Sequence, residues 1–409
     1  MKKGLALLMA ALLFGSALAF SVSAETEEEP LVDFVLDVES GRSPRILLLA
    51  DPQIIDPTQY PDDPNADNDP KKRLEDIEAR CFRYIRQVVN NTKPDLILIA
   101  GDIVYGQYDH SGEAFGELVK FFDGFGIPWA PVYGNHDAES NIGVLWQNEQ
   151  FENAEHCLFK KGNVTGNGNY TVGIRQNGKL TRVFFMMDSN GCDRPGKESI
   201  MHVMPGGVGF MEDQVEWFTQ QGAAIKEANP DVNFSFVFHI PFQIFTEAMS
   251  SVPVGDMGLT ATGNENFGYM RYQECGVDWD RNRAIYSAMK GMGTDSVMVG
   301  HWHTLSASVV YDGVRFMFGQ KSSTYDSANY KTEDGTIVGS KDITTGEPLI
   351  GGTLMLMDEQ TGDFTGFEIV LYEEPPKQDK NYSWIFPVAT AVIPALMAAY
   401  IVFRDRKKK

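Results

Sequence analysis

The chain has 409 residues, of which 43% are hydrophobic, enough to bury the core of one large or two medium domains. It carries 56 acidic and 35 basic residues, a formal net charge of −21, which argues against a nucleic-acid partner held by the protein's general field. Its four cysteines are far apart and form no Cys-x-x-Cys pair, which argues against a zinc knuckle.

The N-terminus has the layout of a secretory signal peptide over residues 1–24. Two lysines precede an apolar stretch from Leu5 to Phe20, and a small-residue motif ending at Ala24 resembles a cleavage site. An uncleaved membrane anchor is the alternative, but the apolar core is short for that role. An acidic leader, 25–43, is predicted to connect this peptide to the folded part.

The folded domain is predicted over residues 44–372, where short apolar runs alternate with helix-like segments. Its first strand is the continuous apolar run Ile46–Ala50, which is typical of a strand buried on both faces. The helix that follows has apolar residues at steps of three and four. This β-α-β-α-β order predicts parallel strands with helices outside. The predicted elements of this half are strands 46–50, 95–100 and 129–133 and helices 71–91 and 114–122.

The second half, from residue 170, has shorter strands that lie closer together in sequence and end in an antiparallel run. Together the two halves predict an α/β (α+β) protein with two sheets face to face and helices outside. Long loops, where we expect substrate selectivity to reside, are predicted at 57–70 and 241–280, with a further polar loop at 321–348. The predicted strands are 170–174, 181–188, 234–238, 296–299, 305–310, 315–318, 353–357 and 364–370, with helices at 212–227 and 281–290.

The C-terminus predicts a membrane attachment. A linker, 373–383, leads to an uncharged run of about twenty residues, 384–403, which is long enough to form a transmembrane helix. The basic tail 404–409 then marks the cytoplasmic side. A buried core helix is the alternative. The expected protein is a single-pass cell-membrane protein with its folded domain outside the cell.

Polar side chains follow five of the predicted strands at the point where each strand ends. The carboxyl ends of parallel strands meet at one edge of a sheet, so we expect these side chains to converge. Glycines before several of them suit tight exits from a strand. The five blocks are Asp51, Gly101-Asp102, Gly134-Asn135-His136-Asp137, His239 and Gly300-His301-Trp302-His303.

These blocks offer carboxylates, an amide and imidazoles, with no cysteine among them. That donor set suits hard or borderline metal ions such as Fe, Mn or Zn. The donors are too many for one tetrahedral zinc, so two ions about 3.5 to 4 Å apart fit the count better. Such a centre serves in-line attack by metal-bound hydroxide on phosphorus.

The order and spacing of the five blocks resemble the calcineurin-like metallophosphoesterase superfamily, over roughly residues 44–372. The resemblance implies a four-layer α-β-β-α sandwich and a dinuclear metal centre. It implies that Asp102 bridges the two ions, with the remaining ligands divided between them. Asn135, His239 and His301 would complete one ion's ligands, and Asp51 and His303 would belong to the other.

Two catalytic residues follow from the same resemblance. His136 would face the substrate, where it would stabilise the transferring phosphoryl group or protonate the leaving oxygen. Asp137 is the candidate to hold the imidazole of His136 in place. The other histidines of the chain are expected to have surface or packing roles.

The departure from the superfamily pattern is Gln53, because most members have Asp-x-His at this position. Either the glutamine oxygen is a weak ligand of the first metal or another residue fills the place. Tyr105 is the alternative ligand, since Gly-Asp-x-x-Tyr resembles the purple acid phosphatase branch, and a core aromatic is the other interpretation of Tyr105. Whole-chain spacing is similar to the purple-acid-phosphatase-like phosphoesterases, while Ala-Asp-Pro-Gln also resembles membrane-anchored esterases that remodel glycolipid anchors.

These observations predict an extracellular, membrane-tethered hydrolase, a dinuclear-metal phosphatase or phosphodiesterase. Its substrate would be a small-molecule, lipid or protein phosphoester. The alternative is a catalytically impaired metal- or phosphate-binding module with the same fold, weakened at the first metal by Gln53.

Overall fold

The computed structural model describes residues 30–59, 70–191, 209–323, 328–340 and 347–373. Six α-helices lie within these ranges: α1 Pro70–Thr92, α2 Glu113–Asp123, α3 Val144–Asn153, α4 Glu212–Ala228, α5 Ile244–Ser250 and α6 Asn282–Gly291. Two short 3-10 helices, Gly106–Tyr108 and Asp137–Glu139, follow strand ends.

The strands of the described residues form a nine-stranded, a six-stranded and a three-stranded sheet. They are β1 Phe34–Asp37, β2 Arg45–Leu49, β3 Leu96–Ala100, β4 Trp129–Val132, β5 Tyr170–Gln176, β6 Lys179–Met186, β7 Asn233–Val237, β8 Gly255–Gly258, β9 Thr260–Ala261, β10 Phe267–Met270, β11 Thr294–Val299, β12 Ser306–Tyr311, β13 Val314–Phe318, β14 Ala328–Lys331, β15 Ile337–Ser340, β16 Glu347–Pro348, β17 Gly351–Met357 and β18 Phe364–Leu371.

The six-stranded sheet has the order β4-β3-β2-β17-β18-β9. Its first three strands are parallel, and β17 and β18 pair antiparallel, as the sequence predicts. The apolar run of β2 is continuous because both faces of this strand are covered. Leu47 and Leu48, whose side chains point to opposite faces, are both fully buried.

The nine-stranded sheet has the order β1-β5-β6-β7-β11-β13-β12-β10-β8. Alternate residues of its strands enter two different apolar clusters, as the period of two in a strand requires. Phe184 and Met186 of β6 join the cluster that contains the six-stranded sheet, whereas Val183 and Phe185 join the cluster that contains α4, α5 and α6. One face of this sheet therefore packs on the other sheet and one packs on helices.

Helices cover the outer face of each sheet. Helix α1 contacts β2, β17 and β18, and α5 and α6 contact β12 and β11. The architecture is therefore four layers, α-β-β-α, and the predicted mixed α/β sandwich is confirmed. The parallel strands of the two sheets deliver their carboxyl ends to the same region, which positions the site described below.

Three segments that the sequence assigns to connections contain regular structure, and one of them, the predicted polar loop 321–348, includes β14, β15 and β16. The predicted loop 241–280 includes α5, β8, β9 and β10, and α5 forms because Ile244, Phe245, Ala248 and Met249 lie on one face and are buried. The predicted leader 25–43 includes β1, which pairs parallel with β5. The sheet therefore takes up chain upstream of residue 44.

The predicted cell-membrane localisation, with a single pass and the folded domain outside the cell, is corrected by the structure. In the part of the chain that the structure describes, each helix is too short or too polar to cross a membrane. Even the longest, α1, carries charged residues through most of its length. The signal peptide 1–24, the linker beyond residue 373, the span 384–403 and the tail 404–409 lie outside the described residues.

Candidate metal centre

The candidate centre lies where the carboxyl ends of six parallel strands meet, three from each sheet. In the six-stranded sheet, β2, β3 and β4 are parallel neighbours and lead into Asp51, Asp102 and Asn135. In the nine-stranded sheet, β7, β11 and β13 are parallel neighbours. They lead into His239, into His301 with His303, and into Lys321.

Four donor atoms converge between the two sheets. The Nε2 atom of His239 lies 3.1 Å from Oδ1 of Asn135, 3.3 Å from Nδ1 of His301 and 3.3 Å from Oδ1 of Asp102. The Nδ1 atom of His301 lies 2.8 Å from the same Asn135 oxygen. These nitrogen and oxygen atoms carry lone pairs, and lone pairs this close to one another require a cation or a shared proton between them. This group therefore has the composition of one metal position.

The orientation of His239 favours metal binding. Its Nδ1 atom lies 2.8 Å from the carbonyl oxygen of Ala100, which can only accept a hydrogen bond. Nδ1 therefore carries the proton, and the lone pair of Nε2 in the neutral ring points at the other donors. An imidazole held by a backbone carbonyl in this way is the usual arrangement of a metal-binding histidine.

A second group of donors surrounds Asp51. Its Oδ1 atom lies 3.3 Å from Nε2 of His303, and its carboxylate accepts from the backbone N–H of His301 at 3.1 and 3.2 Å. Asp51, Asp102 and His239 each offer one ligand atom, and these atoms lie within 4.8 Å of one another. The two groups are therefore contiguous, and the donor chemistry fits two neighbouring ions.

Gln53 is fully buried beside this second group, but its oxygen faces another residue. Its Oε1 atom accepts from Nζ of Lys321 at 2.7 Å, and its Nε2 atom donates to Oδ2 of Asp102 at 3.3 Å. Lys321, 1% exposed, also donates to the backbone oxygen of Asp51 at 3.2 Å. Position 53 thus presents an N–H donor to Asp102, whereas a metal ligand would present its oxygen.

His136 is held by Glu139, a residue for which the sequence pattern predicts no role. Its Nδ1 atom lies 2.8 Å from Oε2 of Glu139. Asp137, the residue predicted for this role, instead accepts three backbone N–H groups, from Ile103 at 2.9 Å, Val104 at 3.0 Å and Gly134 at 2.7 Å. The assignment of Asp137 as the partner of His136 is corrected, because its carboxylate faces these backbone donors.

Tyr105, the alternative ligand for the first metal, stacks on His136. The two ring centroids are 4.0 Å apart with an interplanar angle of 21°. Tyr105 also stacks with Tyr108, with ring centroids 5.5 Å apart. Tyr105 is half-buried, and in this arrangement its ring covers the imidazole.

The backbone is strained where the candidate ligands and Gln53 follow their strands. Asp51, Gln53, Asp102 and His301 all have positive φ, between 46° and 75°, a region that residues with a side chain seldom adopt. Such conformations persist only where the surrounding structure enforces them, and they concentrate at functional sites. This clustering at three strand ends, those of β2, β3 and β11, supports a functional role for this edge of the sheets.

The electrostatics of the centre favour bound positive charge. Burial by itself lowers the pKa of His239. The nearby carboxylates of Asp102 and Asp51 have the larger effect and raise this pKa to about 9. The pKa of His301 falls to about 3 because the ring is buried and lies beside His239. Despite its burial, Asp102 has a lowered pKa because His239 and His136 are close. The two buried carboxylates therefore stay ionised and attract a neighbouring cation, either the protonated ring of His239 or a metal ion.

Residues 44–305 match the profile of a protein family described as calcineurin-like phosphoesterase. The match covers more than half of the chain and contains every predicted ligand. The chain belongs to this family. Within this calcineurin-like phosphoesterase domain, the strand-end blocks are the parts that converge in the structure.

Several relatives are similar to parts of this phosphoesterase chain. Phosphatase DCR2 of Saccharomyces cerevisiae is 24% identical over 257 residues, 58% of this chain and 40% of the yeast protein. Probable inactive purple acid phosphatase 28 of Arabidopsis thaliana is 37% identical over 73 residues, 17% of each chain. The chain thus spans less than half the length of these curated relatives. A solved dimetal phosphatase from Danio rerio is 12% identical, with a TM-score of 0.43, covering 81% of this chain and 100% of that one.

Proposed function

We propose that the chain is a metal-dependent phosphoesterase that hydrolyses a phosphomonoester or a phosphodiester. The observation that carries this proposal is the convergence of Asp102, Asn135, His239 and His301, whose acceptor atoms face one another at 2.8 to 3.3 Å. Membership of the calcineurin-like phosphoesterase family supports it. The substrate class, a small-molecule, lipid or protein phosphoester, is proposed with it.

Two ions, of Fe, Mn or Zn, are proposed to be shared between the two donor groups. Asn135, His239 and His301 would hold one, Asp51 and His303 would hold the other, and Asp102 would contact both. When bound, such ions supply positive charge to the phosphoryl oxygens and make a coordinated water more acidic. Tyr105 remains the proposed further ligand on the Asp51 side, with Gln53 as the alternative.

His136 is the proposed general acid. It is 12% exposed, so it can reach a substrate without being fully solvated. Although burial opposes its protonation, the carboxylates of Asp102 and Glu139 raise its pKa, which favours the protonated ring. A proton on its Nε2 atom could pass to the leaving oxygen, while Glu139 fixes the ring through Nδ1.

The proposal is tested with the full chain, stripped of metal and reloaded with Mn²⁺, Zn²⁺ or iron. Metal per chain is measured by mass spectrometry, and hydrolysis is assayed with p-nitrophenyl phosphate and bis-p-nitrophenyl phosphate. We expect metal-dependent hydrolysis that Asp102→Ala abolishes together with metal binding. Asp231→Ala, at an exposed aspartate that pairs with Lys179, is the matched control and should change neither. A chain that binds no metal under any loading would refute the proposal.

A second candidate function is a metal-binding module without turnover. The contact of Lys321 with Gln53 favours it, since this contact occupies the oxygen of position 53. The Arabidopsis relative is named a probable inactive purple acid phosphatase, which is consistent with relatives that bind metal without turnover. One tightly bound ion, with no hydrolysis of either ester at any metal concentration, would favour this candidate.

A further inference from the structure

Lys321 is a buried cation beside the proposed metal ligands, and the backbone holds it there. A parallel β-bridge pairs Lys321 with Ala50. The N–H of Ser322 donates to the Ala50 oxygen at 2.9 Å. The N–H of Gly351 donates to the Lys321 oxygen, also at 2.9 Å. The lysine is therefore fixed next to the residue that precedes Asp51.

The chemistry of the neighbours determines how the Gln53 amide is oriented. An ammonium group can only donate, so the atom of Gln53 that faces Lys321 at 2.7 Å must be its oxygen. The ionised carboxylate of Asp102 can only accept, so the atom that faces it must be the NH2 group. A flipped amide would place N–H against the ammonium and oxygen against the carboxylate.

This arrangement opposes a metal ion on the Asp51 side. Gln53 can give its oxygen to an ion only by leaving Lys321, which would bury an ammonium with one partner fewer. Lys321 also repels any added cation nearby, whereas Asn135, His239 and His301 face one another and the carboxylate of Asp102, which attracts a cation. The two proposed metal positions are thus unequal in charge and in ligands.

We propose that Lys321 and Gln53 form a built-in cationic corner that weakens the Asp51–His303 metal position relative to the Asn135–His239–His301 position. The chain then takes up two ions with clearly unequal affinity, and the weaker position is filled only when metal is abundant. This inference rests on the proposed function and adds a form of regulation to it. Catalysis that needs both ions would follow the availability of metal.

The test is a titration of the metal-stripped full chain with Mn²⁺, followed by calorimetry and electron paramagnetic resonance. In the wild type, we expect the first equivalent to bind at least about tenfold more tightly than the second, a ratio that one unit charge a few ångströms away can produce. The first equivalent should give the spectrum of an isolated ion. Excess Mn²⁺ should give the spectrum of a coupled pair.

Lys321→Met removes the charge and should strengthen the second binding step by about tenfold or more, with little change in the first. Gln53→Glu keeps an oxygen for Lys321, replaces the NH2 group that faces Asp102 with a second oxygen, and should strengthen the same step. Lys161→Met, at an exposed lysine, is the control and should leave both steps unchanged. Circular dichroism checks that each variant is folded. If Lys321→Met does not fold, Gln53→Glu tests the same binding step.

The outcomes separate this inference from the proposed function. Two equal binding steps in the wild type, or unequal steps whose ratio stays the same in the folded variants, would overturn the inference and leave the phosphoesterase proposal standing. A wild-type chain that binds none of Mn²⁺, Zn²⁺ or iron would overturn both. A selective gain at the second step in either variant supports the cationic corner.

Discussion

The imidazole of His136 is hydrogen-bonded to Glu139, with Nδ1 and Oε2 2.8 Å apart. Both side chains are largely buried, at 12% and 8% exposed. The contact is possible because the 3-10 helix Asp137–Glu139 brings position 139 back beside position 136. It leaves Nε2 of His136 4.0 Å from Oδ2 of Asp102, a proposed metal ligand. We therefore propose that Glu139 acts on the reaction through His136.

Glu139→Gln should lower kcat by about ten- to a hundredfold with little change in KM, because a neutral amide favours the protonated imidazole less. The loss should be larger for an alkyl phosphate than for p-nitrophenyl phosphate, whose leaving oxygen needs less protonation. Steady-state kinetics with both esters measure this difference. Glu149→Gln, at an exposed glutamate on α3, is the control. Equal losses with the two esters would contradict a role in leaving-group protonation.

Asp137→Ala should destabilise the protein by about 3 kcal/mol or more, because three buried backbone N–H groups lose their acceptor. Asp137→Asn keeps one acceptor oxygen and should have an intermediate effect. Urea unfolding of the metal-stripped chain measures both. If Asp137→Asn unfolds as the wild type does but hydrolyses no ester, Asp137 acts in the chemistry and this assignment fails.

Much of the fold and of the candidate site follows from local sequence patterns. The continuous apolar runs predict β2 and β3, and the spacing of apolar residues predicts α1 within one residue at each end. The strand-end residues Asp51, Asp102 and His239 could be found because each follows an apolar run, directly or, for Asp102, after one glycine. Parallel strands then bring such ends to one edge, whatever the intervening loops do.

Lys321 and Glu139 could not be found in this way. Lys321 lies 270 residues from Asp51, and only the pairing of Ala50 with Lys321 brings them together. In sequence it begins a polar segment, where a lysine is normally solvated. Glu139 follows His136 in a short 3-10 helix that has no apolar periodicity. The sequence therefore favours the adjacent residue, Asp137, as the partner of the His136 imidazole.

Gly101→Ala should weaken metal binding without changing any ligand. Gly101 has φ +81°, and a Cβ atom there would lie 2.6 Å from Nδ1 of His239 and 2.8 Å from its Cβ. The His239 ring must then move away from the Ala100 oxygen, and this movement disturbs the alignment of its Nε2 atom. We expect affinity for Mn²⁺ to fall by about tenfold or more, as for loss of an orienting partner of a metal-binding histidine.

Gly41→Ala is the matched control for that variant. Gly41 has nearly the same φ, +83°, but a Cβ atom there would meet nothing within 4 Å. Both substitutions should cost stability through backbone strain, on the order of 1 kcal/mol or more. Only Gly101→Ala should change the calorimetric affinity for Mn²⁺. Equal affinities in the two variants would show that the contact with His239 is unimportant for binding.

Asp109, which is not a proposed metal ligand, makes the free energy of unfolding depend on pH. Its carboxylate is buried and accepts the N–H groups of Ala114 and Phe115, both at 3.0 Å, at the start of α2. Burial raises the pKa of Asp109 to about 6, which these two N–H groups oppose only in part. The folded state therefore binds this proton more tightly than the unfolded state, where the pKa is about 3.9.

The sign follows from proton linkage. Between about pH 4 and pH 6 the folded chain holds more protons at Asp109 than the unfolded chain, so the free energy of unfolding falls as pH rises. The contribution is fully present below pH 4 and is lost above pH 6, with a size on the order of 2 kcal/mol. Asp109→Asn cannot titrate, so the wild type should lose stability relative to this variant over that range. Urea unfolding at pH 4, 5, 6 and 7 measures the difference, and a difference that stays constant across the four pH values would contradict the raised pKa.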